Sequence, residues 1–127
     1  MSSLSELADA DSLAFQVYLK ACTLPRTTED EKAFRRAAKE DGLVRATRIP
    51  LEAAAEMARG LRFAEAPTRL VDPHVRSEVL AGGVLLGASI KSVLLSVDAN
   101  LSGILDRATR NALKLQRDEL ELAAALP

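Results

Sequence analysis

Four small polar residues recur along one apolar stretch of the chain. Ser89, Ser92, Ser96 and Asn100 stand three or four apart, so a helix stacks them on one side. Such a stripe either lines a polar cleft or lets a neighbouring helix pack closely. Lys91 interrupts the same stretch. Apolar surroundings disfavour the charged form of an amine and make it chemically interesting; the favoured expectation is that its stem lies along the surface with the charge in water. At the head of the stretch Ser77 and Glu78 offer a hydroxyl and a carboxylate. Together they offer a helix start, which the carboxylate complements. Arg35 presents a planar fork that could clamp a carboxylate, or it pairs with Glu31 one turn back. His74 and Cys22 are single residues far apart, so no His/Cys cluster offers a metal site. No metal ligand is assigned and no prosthetic group is expected.

The stretch that carries these groups must position them. From Ser77 to Asp106 there is no proline, and Lys91 is the one charge between Val79 and Val97. Apolar residues fall on two adjacent helical tracks, one through Leu80, Val84, Leu94 and Leu101, the other through Val79, Leu86, Ile90, Val93 and Val97. A helix apolar on most sides lies inside a fold, so Val79–Val97 is expected to be a central buried helix. A membrane span competes, since about 20 apolar residues suffice. Lys91 at its middle and the flanking Arg76, Glu78 and Asp98 argue against one. Gly83 and Gly87 form a G-x-x-x-G pair, which lets a second backbone approach closely in soluble bundles as well as in membranes.

The remainder of the chain also predicts helices. Ser3 and Glu6 fit a capping box ahead of Leu7, Ala10, Ala14, Val17 and Ala21, and this first helix should stop near Thr23, before Leu24-Pro25. Thr28 and Glu31 make a second capping box, with acid in the first turn. The helix behind it runs toward Thr47, is weakened by Gly42, and breaks or kinks at Ile49-Pro50. A third, alanine-rich helix from Leu51 ends near Ala66-Pro67, and Thr68 to Val71 is loop-like. Asp72-Pro73 supplies an N-cap and a first-turn proline for the long apolar helix. A last amphipathic helix spans about Thr109 to Ala125, with Leu113 and Leu120 on one face. The expected class is all-α, a bundle of about five helices.

A chain of 127 residues is one domain, residues 1–127. Its 17 basic and 18 acidic residues leave a net charge of −1, without the basic surplus that binding to nucleic acid requires. Aromatic residues make up 3% of the chain, so platforms for stacking bases are lacking too. One cysteine excludes an intramolecular disulfide and suggests a reducing compartment. No basic segment precedes an apolar run at the N-terminus, so a cytoplasmic location is expected, with no membrane partner.

Two stretches resemble a known family. Asp11 four before Phe15, then LPRTTEDEKAFRRAAKE and ATRIPLEAA, resembles D-x-x-A-F, L-P-K-x-T-x-E-E-K-x-x-R and A-T-x-V-P-L. Ser77-Glu78 through Asn100 resembles that family's Ser-Asp, its apolar helix with small residues and its N-x-x-x-N. The family is that of formimino-tetrahydrofolate cyclodeaminases and methenyl-tetrahydrofolate cyclohydrolases, and the resemblance covers about three-quarters of the chain. It implies an all-helical, dimeric scaffold handling one-carbon groups on folate. The chain departs from the pattern where a glycine-rich N-terminal turn is expected, at Glu78 in place of Asp, at Ser96 in place of the first Asn, and at Arg26 in place of Lys.

The resemblance implies a tetrahydrofolate derivative as substrate. In the cyclohydrolase reaction water adds to a cationic amidinium carbon and a base takes its proton; in the cyclodeaminase reaction a ring closes and ammonia leaves. By position, Asp11 and Glu78 are the implied catalytic carboxylates, and Arg26, Thr28, Arg35, Ser77 and Asn100 the implied ligand-binding residues. The resemblance leaves two expectations side by side. One is an enzyme whose site is completed at a homodimer interface or by a partner chain. The other is a non-catalytic helical subunit or ligand-binding module that keeps the scaffold without the site.

Overall fold

The computed structural model describes residues 3–65 and 72–125. Its regular structure is entirely helical: α1 (Leu4–Cys22), α2 (Glu29–Glu65), α3 (Pro73–Leu101) and α4 (Arg107–Ala124). Both capping boxes form. Ser3 accepts from the Glu6 amide at 3.2 Å while Glu6 accepts from the Ser3 amide at 2.8 Å. Thr28 accepts from the Glu31 amide at 3.1 Å, and the Glu31 carboxylate reaches back to the Thr27 and Thr28 amides. Thr23 ends α1 as expected, and Asp72 caps α3 with Pro73 in its first turn. The expected loop at Thr68 to Val71 lies outside the described residues.

Four helices are described, rather than about five, because the second and third expected helices are one. Thirty-seven residues run as α2 through Pro50. Proline in a helix interior removes the N–H that would return to the carbonyl four residues back, here Ala46. That carbonyl accepts instead from the Asn100 side-chain amide of α3 at 3.3 Å. One turn earlier the buried Thr47 hydroxyl donates to the Leu43 carbonyl at 2.8 Å. A break expected from local sequence is thus bridged by a donor 54 residues away.

The axis of the molecule is α2, not α3. At about 1.5 Å per residue α2 is roughly 55 Å long, and α1, α3 and α4 all pack on it, while among the described helices α1 packs on α2 alone. Small residues set these contacts. Ala46, Ala54 and Ala58 of α2 are buried. A Cβ at Gly42 would lie 3.2 Å from the Tyr18 Cα, so the glycine expected to weaken the helix is where α1 crosses closest. The G-x-x-x-G pair works in the same way: Gly83 faces Leu61 of α2, and Gly87 faces the Ala124 carbonyl at the end of α4.

The expectation that Val79–Val97 is enclosed on nearly all sides is corrected. Gly87, Ile90, Leu94, Val97 and Leu101 form its one buried stripe. Ile90 and Val97 are fully buried against α2 and α4, together with Ile104. The opposite side is open: Val84, Leu85 and Leu95 are 72%, 69% and 71% exposed. Four described helices cannot surround a rod that already touches two of them on one side. By length and composition α3 is also apolar enough to cross a membrane.

Two polar locks close the bundle. The Glu40 carboxylate of α2 accepts from the Leu105 and Asp106 amides in the turn between α3 and α4. The Arg117 guanidinium of α4 forks onto Asp98 of α3 at 2.7 and 2.8 Å and also pairs with Glu121. These carboxylates hold the Arg117 charge more firmly than in a free arginine, the hydrogen bonds to Asp98 contributing most.

Candidate functional site

The helices distribute the sequence-predicted residues along the length of α2. At one end, in the turn between α1 and α2, Arg26 is exposed and Thr28 is the α2 cap. Arg35, two turns into α2, donates to the Cys22 carbonyl at the C-terminus of α1 at 2.9 Å, and its Nε is buried without a partner. It does not pair with Glu31, whose carboxylate is occupied by Thr27 and Thr28 and is held below the usual carboxylate range, chiefly by the Thr27 hydroxyl. Beside Arg35 lies the Tyr18 phenol, pushed above its ordinary value chiefly by hydrogen bonding to the Cys22 side chain.

Farther along α2 come Asp11 and Asn100. Contacts of Cys22 with Arg35 and of Tyr18 with Gly42 show α1 running antiparallel to α2. Continuing that register puts Asp11 about level with Ile49. Asp11 is exposed on α1, and Asn100 is half-buried against Ala46. The two therefore share a height on α2 while belonging to helices that do not touch each other. Arg35 lies about 16 Å away along the axis, eleven residues before Ala46.

Ser77 and Glu78 are exposed in the first turns of α3. Ser77 and Asn100 are 23 positions apart, about 34 Å along the helix. Within one copy, Glu78 cannot meet Asn100 or Asp11. The structure thus brings Asp11 and Asn100 to one level, groups Arg26, Thr28 and Arg35 at one end, and leaves Ser77 and Glu78 at the other.

The polar stripe of α3 has a clearer outcome. Ser89, Ser92 and Ser96 are exposed, so none of them serves packing within the chain. The Ser89 hydroxyl donates to the Leu85 carbonyl of its own helix at 2.8 Å. Lys91 is exposed as well, its stem on the outer side of α3. Among the described residues no group of three or more His, Cys, Asp or Glu is placed to hold a metal ion.

One cavity lies away from all of these residues. A groove of about 520 Å³ between α2 and α4 has Leu51, Ala55, Leu120 and Ala123 on its floor, with Arg48, Arg59 and Arg62 beside Glu52 and Glu119 on its walls. Arg59 is paired with Glu56. The spacing of Arg48, Arg59 and Arg62, eleven and then three residues, puts all three on one helical face. That signal is legible only if the helix continues through Pro50.

Comparison with known proteins agrees with the resemblance. The family model described as Formiminotransferase-cyclodeaminase matches residues 1–119. A formimidoyltransferase-cyclodeaminase of Sus scrofa is 44% identical over 57 residues, 45% of this chain and 10% of that protein. A formimidoyltransferase-cyclodeaminase of Gallus gallus is 28% identical over 106 residues, 84% of this chain and 20% of that protein. The chain therefore spans a fifth or less of the length of these relatives.

Proposed function

The chain belongs to the formiminotransferase-cyclodeaminase family, and on that premise we propose that it acts on a one-carbon adduct of tetrahydrofolate, by hydrolysis of the methenyl form or deamination of the formimino form. The family match over residues 1–119 carries the reading. In the hydrolytic case water attacks the amidinium carbon, a carboxylate takes its proton, and the ring C–N bond then breaks with protonation of the departing nitrogen. Asp11 and Glu78 are the carboxylates for that role, and the exposed hydroxyls of Ser92 and Ser96 lie where they can hold polar ligand atoms. The separation of Glu78 from Asn100 supports a site completed by a second chain, either another copy or a helical partner subunit.

A second reading rests on a different observation. Thr28, Arg35 and Asn100 all make hydrogen bonds that hold the fold. A helical subunit that kept the family scaffold without its chemistry would keep these three residues. Absorbance of methenyl-tetrahydrofolate separates the two readings. Acceleration over buffer, lost in Asp11→Asn, is expected of the enzyme. Calorimetric binding of the folate without turnover would assign a ligand-binding module, and neither signal would leave a partner subunit.

A further inference from the structure

The groove between α2 and α4 takes no part in the folate reading. Its two walls run in the same direction. Asn100 meets Ala46 and Gly83 meets Leu61, so α3 is antiparallel to α2. Gly87 meets the end of α4 at Ala124 and Asp98 pairs with Arg117, so α4 is antiparallel to α3 and parallel to α2. These contacts set Glu119 of α4 about level with Glu52 of α2. Arg48 lies about one turn before that level, and Arg59 and Arg62 lie about two to three turns beyond it.

The charges along the groove therefore come in the order positive, negative, positive. Arg48 is first, Glu52 and Glu119 stand on opposite walls in the middle, and Arg59 and Arg62 close the far end. Arg59 is answered by Glu56 on its own helix. Among the described residues Arg48, Glu52 and Glu119 form no ion pair. Two carboxylates at one level repel each other across a floor of Leu51, Ala55, Leu120 and Ala123. A cation placed between them would relieve that repulsion, and an apolar surface laid on the floor would dry it.

From this pattern we infer that the groove docks an amphipathic helix of a different protein chain, one carrying an acidic residue, a basic residue about four positions on, and a second acidic residue about seven positions after that. The acidic residues answer Arg48 at one end and Arg59 with Arg62 at the other, and the basic residue answers Glu52 and Glu119. Steps of four and seven keep all three charges on one edge of a helix. An apolar stripe beside that edge covers the floor, the arrangement by which a helix seats in a groove. From Arg48 to Arg62 is 14 positions, about 21 Å, so about four turns of helix fill the groove.

Other occupants fit less well. A small polyanion that bridged the arginines would lie against Glu52 and Glu119 between them. Two copies of the groove cannot fill each other, since both are concave, and seating another helix of a second copy there is a heterologous contact that grows rings or chains. A helix about 12 Å across covers about 250 Å² of the groove, well below a standard interface, so the contact belongs to the weak, transient class. The inference stands on the groove and holds with or without folate turnover.

The probe is a synthetic peptide of about 18 residues with Glu, Lys and Glu at these spacings beside a leucine stripe; its control has Lys, Glu and Lys at the same positions. Fluorescence anisotropy is expected to show saturable binding of the first and at least tenfold weaker binding of the second. Arg48 and Glu52 are both exposed, so the exchange Arg48→Glu with Glu52→Arg keeps the net charge and should leave circular dichroism unchanged. It should shift the ratio of the two affinities at least tenfold toward the control peptide. No saturable binding, equal affinity for the two peptides, or an unmoved ratio in the exchanged variant would overturn the proposal. So would displacement of the peptide by tripolyphosphate at constant ionic strength, which would make the arginines a polyanion site. Self-association of the unliganded protein that the exchange abolishes would give the groove to a second copy and overturn it too.

Discussion

Replacing Asn100 by alanine should destabilise the protein in a way that depends on Pro50. The Ala46 carbonyl cannot receive a hydrogen bond from Pro50 and accepts from Asn100 at 3.3 Å instead. Removing that donor leaves the carbonyl of the buried Ala46 unpaired, at about 1–3 kcal/mol. Unfolding entropy of about 2.1 cal/mol/K per residue makes each kcal/mol worth about 4 °C in Tm for a chain of this size. Asn100→Ala should therefore lower Tm by about 4–10 °C. In a Pro50→Ala background the helix regains its own donor to Ala46, and the same substitution should cost less than about half as much. Thermal unfolding of the four proteins in this cycle gives the coupling directly. Asn100→Asp should be worse than Asn100→Ala, because it turns an acceptor toward a carbonyl. An equal cost of Asn100→Ala in both backgrounds would refute the account of how α2 passes through Pro50.

Three further outcomes follow from the packing and the caps. Gly42→Ala should be near neutral, since a gain in helix propensity of about 1 kcal/mol offsets the 3.2 Å approach to Tyr18, whereas Gly42→Val should destabilise by about 2 kcal/mol and speed hydrogen exchange throughout α1. Arg117→Ala should cost about 1 kcal/mol at low ionic strength and less in high salt, the Asp98 partner being substantially exposed; chemical denaturation at two salt concentrations tests it. Glu31 and Asp106 have carboxyls held low by the Thr27 and Thr109 hydroxyls, so their contribution is full above the ordinary carboxylate values and is lost as pH falls through their depressed ones. Tm should decline with acid in that window, and Glu31→Gln should flatten the decline.

Local chemistry made the helix ends legible. Ser3 with Glu6, Thr28 with Glu31, and Asp72 with Pro73 are satisfied within a few residues, so spacing alone identified them. The interior of α2 was not legible, because what carries it past Pro50 is a side chain on another helix. Composition also misplaced the centre. A run apolar on every side signals burial without saying what buries it, and in one chain α2 and α4 cover a single stripe of α3. Among the candidate site residues, the spacing of Ser77 and Asn100 along one helix already implied their separation. The α2–α4 groove escaped because its three arginines straddle the proline.

Among the described helices α1 is attached to α2 alone, and this has a thermodynamic corollary. Undocking that helix exposes the seam through Leu7, Ala14 and Ala21 together with the Tyr18–Gly42 crossing, while the interfaces among the other three helices stay in place. Opening of this helix alone is therefore expected to cost less free energy than global unfolding. Asp11 rides on this helix. Whatever tightens or loosens the Gly42–Tyr18 crossing therefore sets how often the carboxylate is held in register with the rest of the bundle.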